Sequence, residues 1–192
     1  MVQARQDGRV RLPRRLVVGI TGAEGATYAV RLLEVLRDTP VETHLVMCPC
    51  SRESLRAETG RDPADLRRLA DRVYHPSNQA ARISSGSFLT EGMIIAPCSA
   101  TSLAAIATGL ATTLIHRAAD VMMKEGRRLA LLVHESPLSA VHVENLRRLG
   151  RVSCVMAPSV TSFSDPPASL DRMVDRTVAR LLDLFGIDHG LG

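Results

Sequence analysis

Short, nearly continuous apolar runs alternate along this chain with longer segments whose apolar residues recur at helical spacing. Few folds accommodate that rhythm. "RLVVGI" (residues 15–20) reads as a buried strand and "GATYAVRLLEVLRD" (25–38) as the helix that follows it. "VETHLVM" (41–47) is the second strand, and "SRESLRAETG" (51–60) a helix opened by Ser51 and closed by Gly60. "DPADLRRLADRVY" (62–74) reads as a further helix, with Asp62 as its cap and Pro63 at its first position. "GMIIAPCS" (92–99) is the third strand, and residues 100–126 form a long helical stretch with a break expected near Gly109. "RRLALLVHES" (127–136) and "RVSCVMAP" (151–158) supply the fourth and fifth strands, separated by a helix at 139–150. The last helix runs from Ser169 as cap to Gly186 as stop. This alternation predicts an α/β fold: a flavodoxin-like or Rossmann-like, doubly wound parallel sheet with helices on both faces. With 192 residues, no internal repeat and no long linker, the chain fits one domain at 14–192 behind a flexible basic arm at 1–13.

In such sheets ligands collect outside the carboxyl ends of the strands. The segments expected there are rich in glycine, proline and small hydroxyl residues: "TGAEGA", "MCPCSRES", "APCSATS", "VHESPLS" and "APSVTSFSDPP". The first is the most informative. In "GITGAEGATYA" (19–29) a strand meets three spaced glycines and then a helix, an arrangement whose backbone amides suit a phosphate. Yet its centre carries Glu24, an anion where an anion should be received.

Composition removes several alternatives. No apolar run reaches the ~18 residues that span a bilayer, and the N-terminus lacks the apolar core of a secretory signal, so no membrane role and a cytoplasmic location are expected. The net charge is +4, but the arginines are scattered and aromatic residues make up only 3%, so nucleic-acid binding is not expected. Lys124 is the only lysine among 24 basic residues, which suggests a position where a compact ammonium matters. Cys48 and Cys50 form a C-x-C pair, whereas Cys98 and Cys154 stand alone. None has metal-ligand spacing, so no metal is expected, and the thiols are expected to be reduced.

Taken together, "GITGAxGA", "ETHLVM", "ISSGSF", "GMIIAPCS", "RAADVMMKE", "HESPLSAVHVENL" and "FGI" resemble, in order and spacing, the UbiX-type flavin prenyltransferases over roughly residues 14–187. The resemblance implies a homo-oligomer, a dodecamer in that family, with FMN bound between subunits. It implies transfer of the dimethylallyl group of dimethylallyl monophosphate to reduced FMN without a metal, giving prenylated FMN for a UbiD-type decarboxylase. Carried over by position, flavin contacts fall on Gly22, Ala23, Glu24, Cys48, Ser99, Ala100, Thr101, Ser102 and Arg117. The prenyl phosphate falls to Lys124, Ser164 and Arg180, and the catalytic set to Glu24, Glu58, Lys124, His134 and Glu135.

The departures from the family pattern are concentrated in one place. The family commonly has serine or threonine where this chain has Glu24, arginine at His134, tyrosine at Ser164, serine at Cys48 and arginine at Gly126. An ionised glutamate can only accept hydrogen bonds. At about 4 Å and an effective dielectric near 20 it would repel a phosphate charge by roughly 4 kcal/mol. Glu24 is therefore expected to be protonated, paired with a cation such as Arg117 or Lys124, or turned away. Two alternatives stay open: a divergent enzyme that handles an allylic prenyl phosphate differently, and an FMN-binding protein without prenyl chemistry.

Overall fold

A computed structural model describes residues 14–160 and 163–191 of the chain. The expected arm at residues 1–13 lies outside the described residues. Among the described residues six strands form one parallel sheet: β1 (Arg15–Ile20), β2 (Glu42–Met47), β3 (Arg72–Tyr74), β4 (Gly92–Cys98), β5 (Arg128–Val133) and β6 (Cys154–Met156). Their order across the sheet is β3-β2-β1-β4-β5-β6, and every pairing is parallel. The winding direction reverses between β1 and β4, which places the crevice of the doubly wound class at the carboxyl ends of those two strands.

Among the described residues seven α-helices flank the sheet: α1 (Ala26–Arg37), α2 (Ser51–Thr59), α3 (Pro63–Arg67), α4 (Ala100–Thr108), α5 (Leu114–Lys124), α6 (Ala140–Leu149) and α7 (Leu170–Asp183). Strand side chains alternate between faces. Leu16, Val18 and Ile20 of β1 point to one layer with Leu32, Leu33 and Leu36 of α1 and Val178, Leu181 and Leu182 of α7. Val17 points to the other, with Met93 and Ile95 of β4 and Ile115, Ala118 and Met122 of α5. Both layers are shut off from water, which explains why the central strands read as unbroken apolar runs.

Three local expectations need correction, and one holds. The helix expected at 62–74 stops at Arg67, although its start is as read: Asp62 accepts from the Ala64 amide at 3.2 Å, and its own amide donates to Asp65 at 2.9 Å. Beyond it Asp71 accepts from the Thr43 amide at 2.7 Å, which docks the chain on β2, and Arg72–Tyr74 pairs there as a sixth, edge strand. The fourth and fifth strands are shorter than read, so His134 and Glu135 lie beyond the end of β5. Ser51 does not cap α2; its hydroxyl donates to the Cys48 carbonyl at 2.7 Å, and Cys50 occupies the cap position. The long helical stretch is indeed two helices: Gly109 closes α4 at φ 72°, and Thr113 caps α5 by accepting from the His116 amide.

Two buried imidazoles give the fold a pH dependence. His44 on β2 is 2% exposed, with its Nδ1 2.8 Å from the Tyr74 hydroxyl. His116 on α5 bridges Thr112 at 3.1 Å and Ser102 at 3.2 Å. Burial pushes both below the ordinary 6.5, against the pull of Glu42 in the case of His44. The unfolded chain therefore binds protons first as pH falls. Stability from this source is complete above about 6.5 and declines as pH drops through that value toward the lower folded values. The urea midpoint is expected to fall between pH 7 and pH 5, with a shallower fall in His116→Gln. An unchanged slope in that variant would remove His116 from the account.

Candidate functional site

The crevice is framed by two strand ends that are tied together. The Thr21 hydroxyl, just past β1, donates to the Pro97 carbonyl at 2.8 Å and accepts from the Ser99 amide at 2.8 Å. This crosslink fixes the loop at residues 22–25 against the turn that starts α4. Ser99 caps α4 by accepting from the Ser102 amide at 3.2 Å. The amides of Ala100 and Thr101, in the first turn, have no intrahelical acceptor and face the rim. The Ser102 hydroxyl is engaged behind them by His116, so Ser102 supports the turn from the buried side.

The α1 end of the crevice is built differently. The Glu58 carboxylate reaches over from α2 and accepts from the Gly25 amide at 3.0 and 3.2 Å and from the Thr27 amide at 3.3 Å. It thus occupies the N-terminus of α1, where no side chain of the helix's own cap serves. Glu24, exposed beside it, makes no ion pair among the described residues. The expected partners are engaged elsewhere: Arg117 with Asp120 at 2.8 Å and Lys124 with Glu125 at 3.7 Å.

Between α1, α2, α7 and the end of β5 lies a cavity of about 590 Å³, lined by Glu24, Tyr28, Ala57, Glu58, His134 and Met173 among others. Tyr28 is buried, its hydroxyl is 2.5 Å from Ser159, and its ring centroid is 6.4 Å from that of His134. Glu53 adds a third carboxylate to the lining, and Leu170 and Val174 add apolar wall. The combination is an apolar slot with an acidic mouth. Exposed Glu135 follows His134 directly but is not among the lining residues.

The expected phosphate-binding cations are not at this cavity. α5 runs against the strand direction and ends just before β5, so Lys124 sits at the amino edge of the sheet, about 20 Å from the crevice for a six-residue strand. Arg180 lines a separate groove of about 350 Å³ with Met156, Ala157, Pro158 and Thr177. Ser164 is exposed in the segment before α7. Within one chain the acids and the cations of the expected site stay apart.

The cysteines overturn one expectation. Cys48 and Cys50 are joined in a disulfide with their Cα atoms 5.3 Å apart, so these two thiols are not reduced. The turn out of β2 brings the two side chains to one side within the span a disulfide needs. Cys98 and Cys154 are free and buried, and burial pushes both thiols up to about 12. Among the described residues no cluster of His, Cys, Asp or Glu is placed to hold a metal ion, and no helix is long and apolar enough to cross a membrane.

Comparison with known proteins decides the family. The model of the Flavoprotein family matches residues 5–182. A probable UbiX-like flavin prenyltransferase of Streptomyces sp. (strain D7) is 50% identical over 174 residues, 90% of this chain and 87% of that protein. The chain belongs to the UbiX-type flavoproteins. The flavin prenyltransferase UbiX of Escherichia coli (strain K12) is 46% identical over 91% of this chain and 93% of its own. Among solved structures, the dodecameric FMN-dependent UbiX-like decarboxylase from Escherichia coli O157:H7 superposes with a TM-score of 0.89 at 47% identity, covering 92% of this chain and 96% of that one. AnUbiX (PadA1) in complex with FMN and dimethylallyl pyrophosphate gives 0.90 at 44% identity, covering 93% and 95%. UbiX-type membership was legible in the ordered motifs. The Glu58 contact, the role of Tyr28 in the cavity wall and the disulfide were not, because each depends on how loops far apart in sequence, or a tight turn, fold together.

Proposed function

We propose that this chain is a flavin prenyltransferase that transfers the dimethylallyl group of dimethylallyl monophosphate to reduced FMN. Membership in the UbiX-type family supports this reading, and one observation in the structure supports it independently. The free amides of Ala100 and Thr101 give the crevice an anion-accepting end, and the cavity between α1, α2 and α7 is an apolar slot suited to a flavin ring and a short allylic chain. That donor set fits FMN: Ser99, Ala100 and Thr101 would hold the phosphate, with Gly22 and Ala23 alongside. When bound, reduced FMN supplies N5 and C6 as the prenyl acceptors.

The chain's own groups do the rest. Tyr28, Met173 and Val174 would keep water from the allylic group as its phosphate departs. Glu135 would take the proton released at C6. The departing phosphate needs cations that the acidic mouth does not offer. Lys124 and Arg180 supply them from neighbouring copies in a homo-oligomer, for which the dodecameric relative is the pattern. The product serves a UbiD-type decarboxylase, and the need for reduced FMN favours the cytoplasm.

A divergent reaction is the second reading, favoured by Glu24 standing on the cavity without a cation. Incubation with reduced FMN and dimethylallyl monophosphate, followed by mass spectrometry of the flavin, separates the two. Prenylated FMN from the wild type, raised further in Glu24→Ser, supports the first reading with Glu24 as an obstruction. An unmodified flavin from the wild type would overturn it.

A further inference from the structure

The Cys48–Cys50 disulfide stands on the rim of the crevice, at the carboxyl end of β2. It lies directly over the strand-to-helix loop: a Cβ placed on Gly22 would meet the Cys50 Cβ and Sγ at 2.8 Å and the Cys50 carbonyl at 2.9 Å. The two halves of the bridge are held differently. The Cys48 amide donates to the Ile20 carbonyl at 2.8 Å, and the Cys48 carbonyl accepts from the Ser51 amide at 3.0 Å and the Ser51 hydroxyl at 2.7 Å. Cys48 is thus anchored to β1 on one side and α2 on the other. Cys50 is exposed, and its side chain is fixed chiefly by the bridge.

We propose that Cys48–Cys50 is a thiol–disulfide exchange site that controls access of FMN to the crevice. The inference rests on the flavin reading above. A dithiol reductant of the protein or small-molecule class is the co-reactant. Its thiolate attacks exposed Cys50 Sγ, and Cys48 leaves as a thiolate and takes a proton. The second thiol of the reductant then resolves the mixed disulfide, releasing Cys50 as a thiol and leaving the reductant as its own disulfide. Two electrons and two protons pass to the protein, and no other oxidant or reductant is needed.

The consequences follow from geometry and hydrogen-bonding capacity. A disulfide sulfur has no hydrogen to donate, whereas a Cys48 thiol has one. With the bridge closed, the Cys50 sulfur roofs Gly22. With it open, the backbone of Cys48 and Cys50 stays in place while the Cys50 sulfur is free to rotate into solvent, away from Gly22. The dithiol form therefore takes FMN more tightly. The logic matches the reaction, because the acceptor is reduced flavin and an oxidising environment would close the site when that acceptor is lost. Cys98 and Cys154 do not interfere, since both are buried and their thiols are held far above neutral pH.

The test is an FMN titration of the full-length protein after dithiothreitol and after mild oxidation. Alkylation and intact mass give the thiol count in each state. The expected result is two fast-labelling thiols only after dithiothreitol, with FMN bound about tenfold more tightly in that state. Cys50→Ser, which cannot form the bridge, should bind FMN like the reduced wild type under both conditions. Equal affinity of the two wild-type states sinks the switch and leaves the flavin reading intact. Binding in neither state sinks both.

Discussion

Gly92→Ala is expected to leave little folded protein. Gly92 opens β4 between Leu16 of β1 and Arg128 of β5, at φ 144°, where side chains are rarely tolerated. An added Cβ would stand 2.1 Å from the Arg128 carbonyl oxygen and 2.8 Å from Phe185 Cε1. The nearer obstacle is backbone in a paired strand, so relief requires separating β4 from β5 at the centre of the sheet. The expected loss is about 3 kcal/mol or more, a large share of the ~5–15 kcal/mol that holds an ordinary domain together. Gly60→Ala is the control. That glycine also has positive φ, 67°, but nothing lies within 4 Å of an added Cβ. It should cost only about 1 kcal/mol of backbone strain. Urea unfolding of the two variants separates clash from strain, and equal losses would refute the steric account.

Lys124→Ala should lower prenyl transfer by about 30-fold or more while leaving the fold intact. Lys124 is exposed at the end of α5, and its ion pair with Glu125 is on the surface. Removing it disturbs no core contact, so an activity loss would report on chemistry. The placement also predicts how activity returns. If Lys124 serves the crevice of another copy, co-assembly with an inactive Glu135→Gln chain brings intact Lys124 and intact Glu135 together at some sites. Random mixing would restore roughly a quarter of wild-type activity. No recovery in proven mixed oligomers would mean that Lys124 does not act across subunits.

The two central predictions depend on features of unequal legibility. The buried strands β1, β2, β4 and β5 were readable because both of their faces are covered, so the apolar run itself marks them. Arg72–Tyr74 was not. Its three residues carry no period of their own, and the pattern of the preceding helix runs into them without a breaker. The contact that makes them a strand, Asp71 with the Thr43 amide, joins positions 28 apart. The site shows the same division. Gly22, Ser99 and the loop acids could be assigned to the rim from their places at strand ends. That Glu58 would reach the Gly25 amide from a different helix could not, because the α1–α2 approach is set by packing of the layer beneath. Nor could a sequence reveal that Lys124 and Arg180 open onto other surfaces than the cavity, since helix direction relative to the sheet decides it. The C-x-C pair was visible, but whether its sulfurs meet depends on the sharpness of one turn.

The contact between Glu58 and the start of α1 gives the crevice a compass. A helix N-terminus carries roughly half a positive charge, and two such ends, those of α1 and α4, follow the paired strands β1 and β4 at the switch point. Glu58 cancels the first and leaves the second open. On the proposed reading, an elongated guest with one anionic tip would enter head-first toward α4, with its uncharged end among Tyr28, His134 and Met173. Turned end for end, the same guest would set its phosphate against Glu24, Glu53 and Glu58. Direction of entry would then be set by a carboxylate that belongs to neither strand of the switch point.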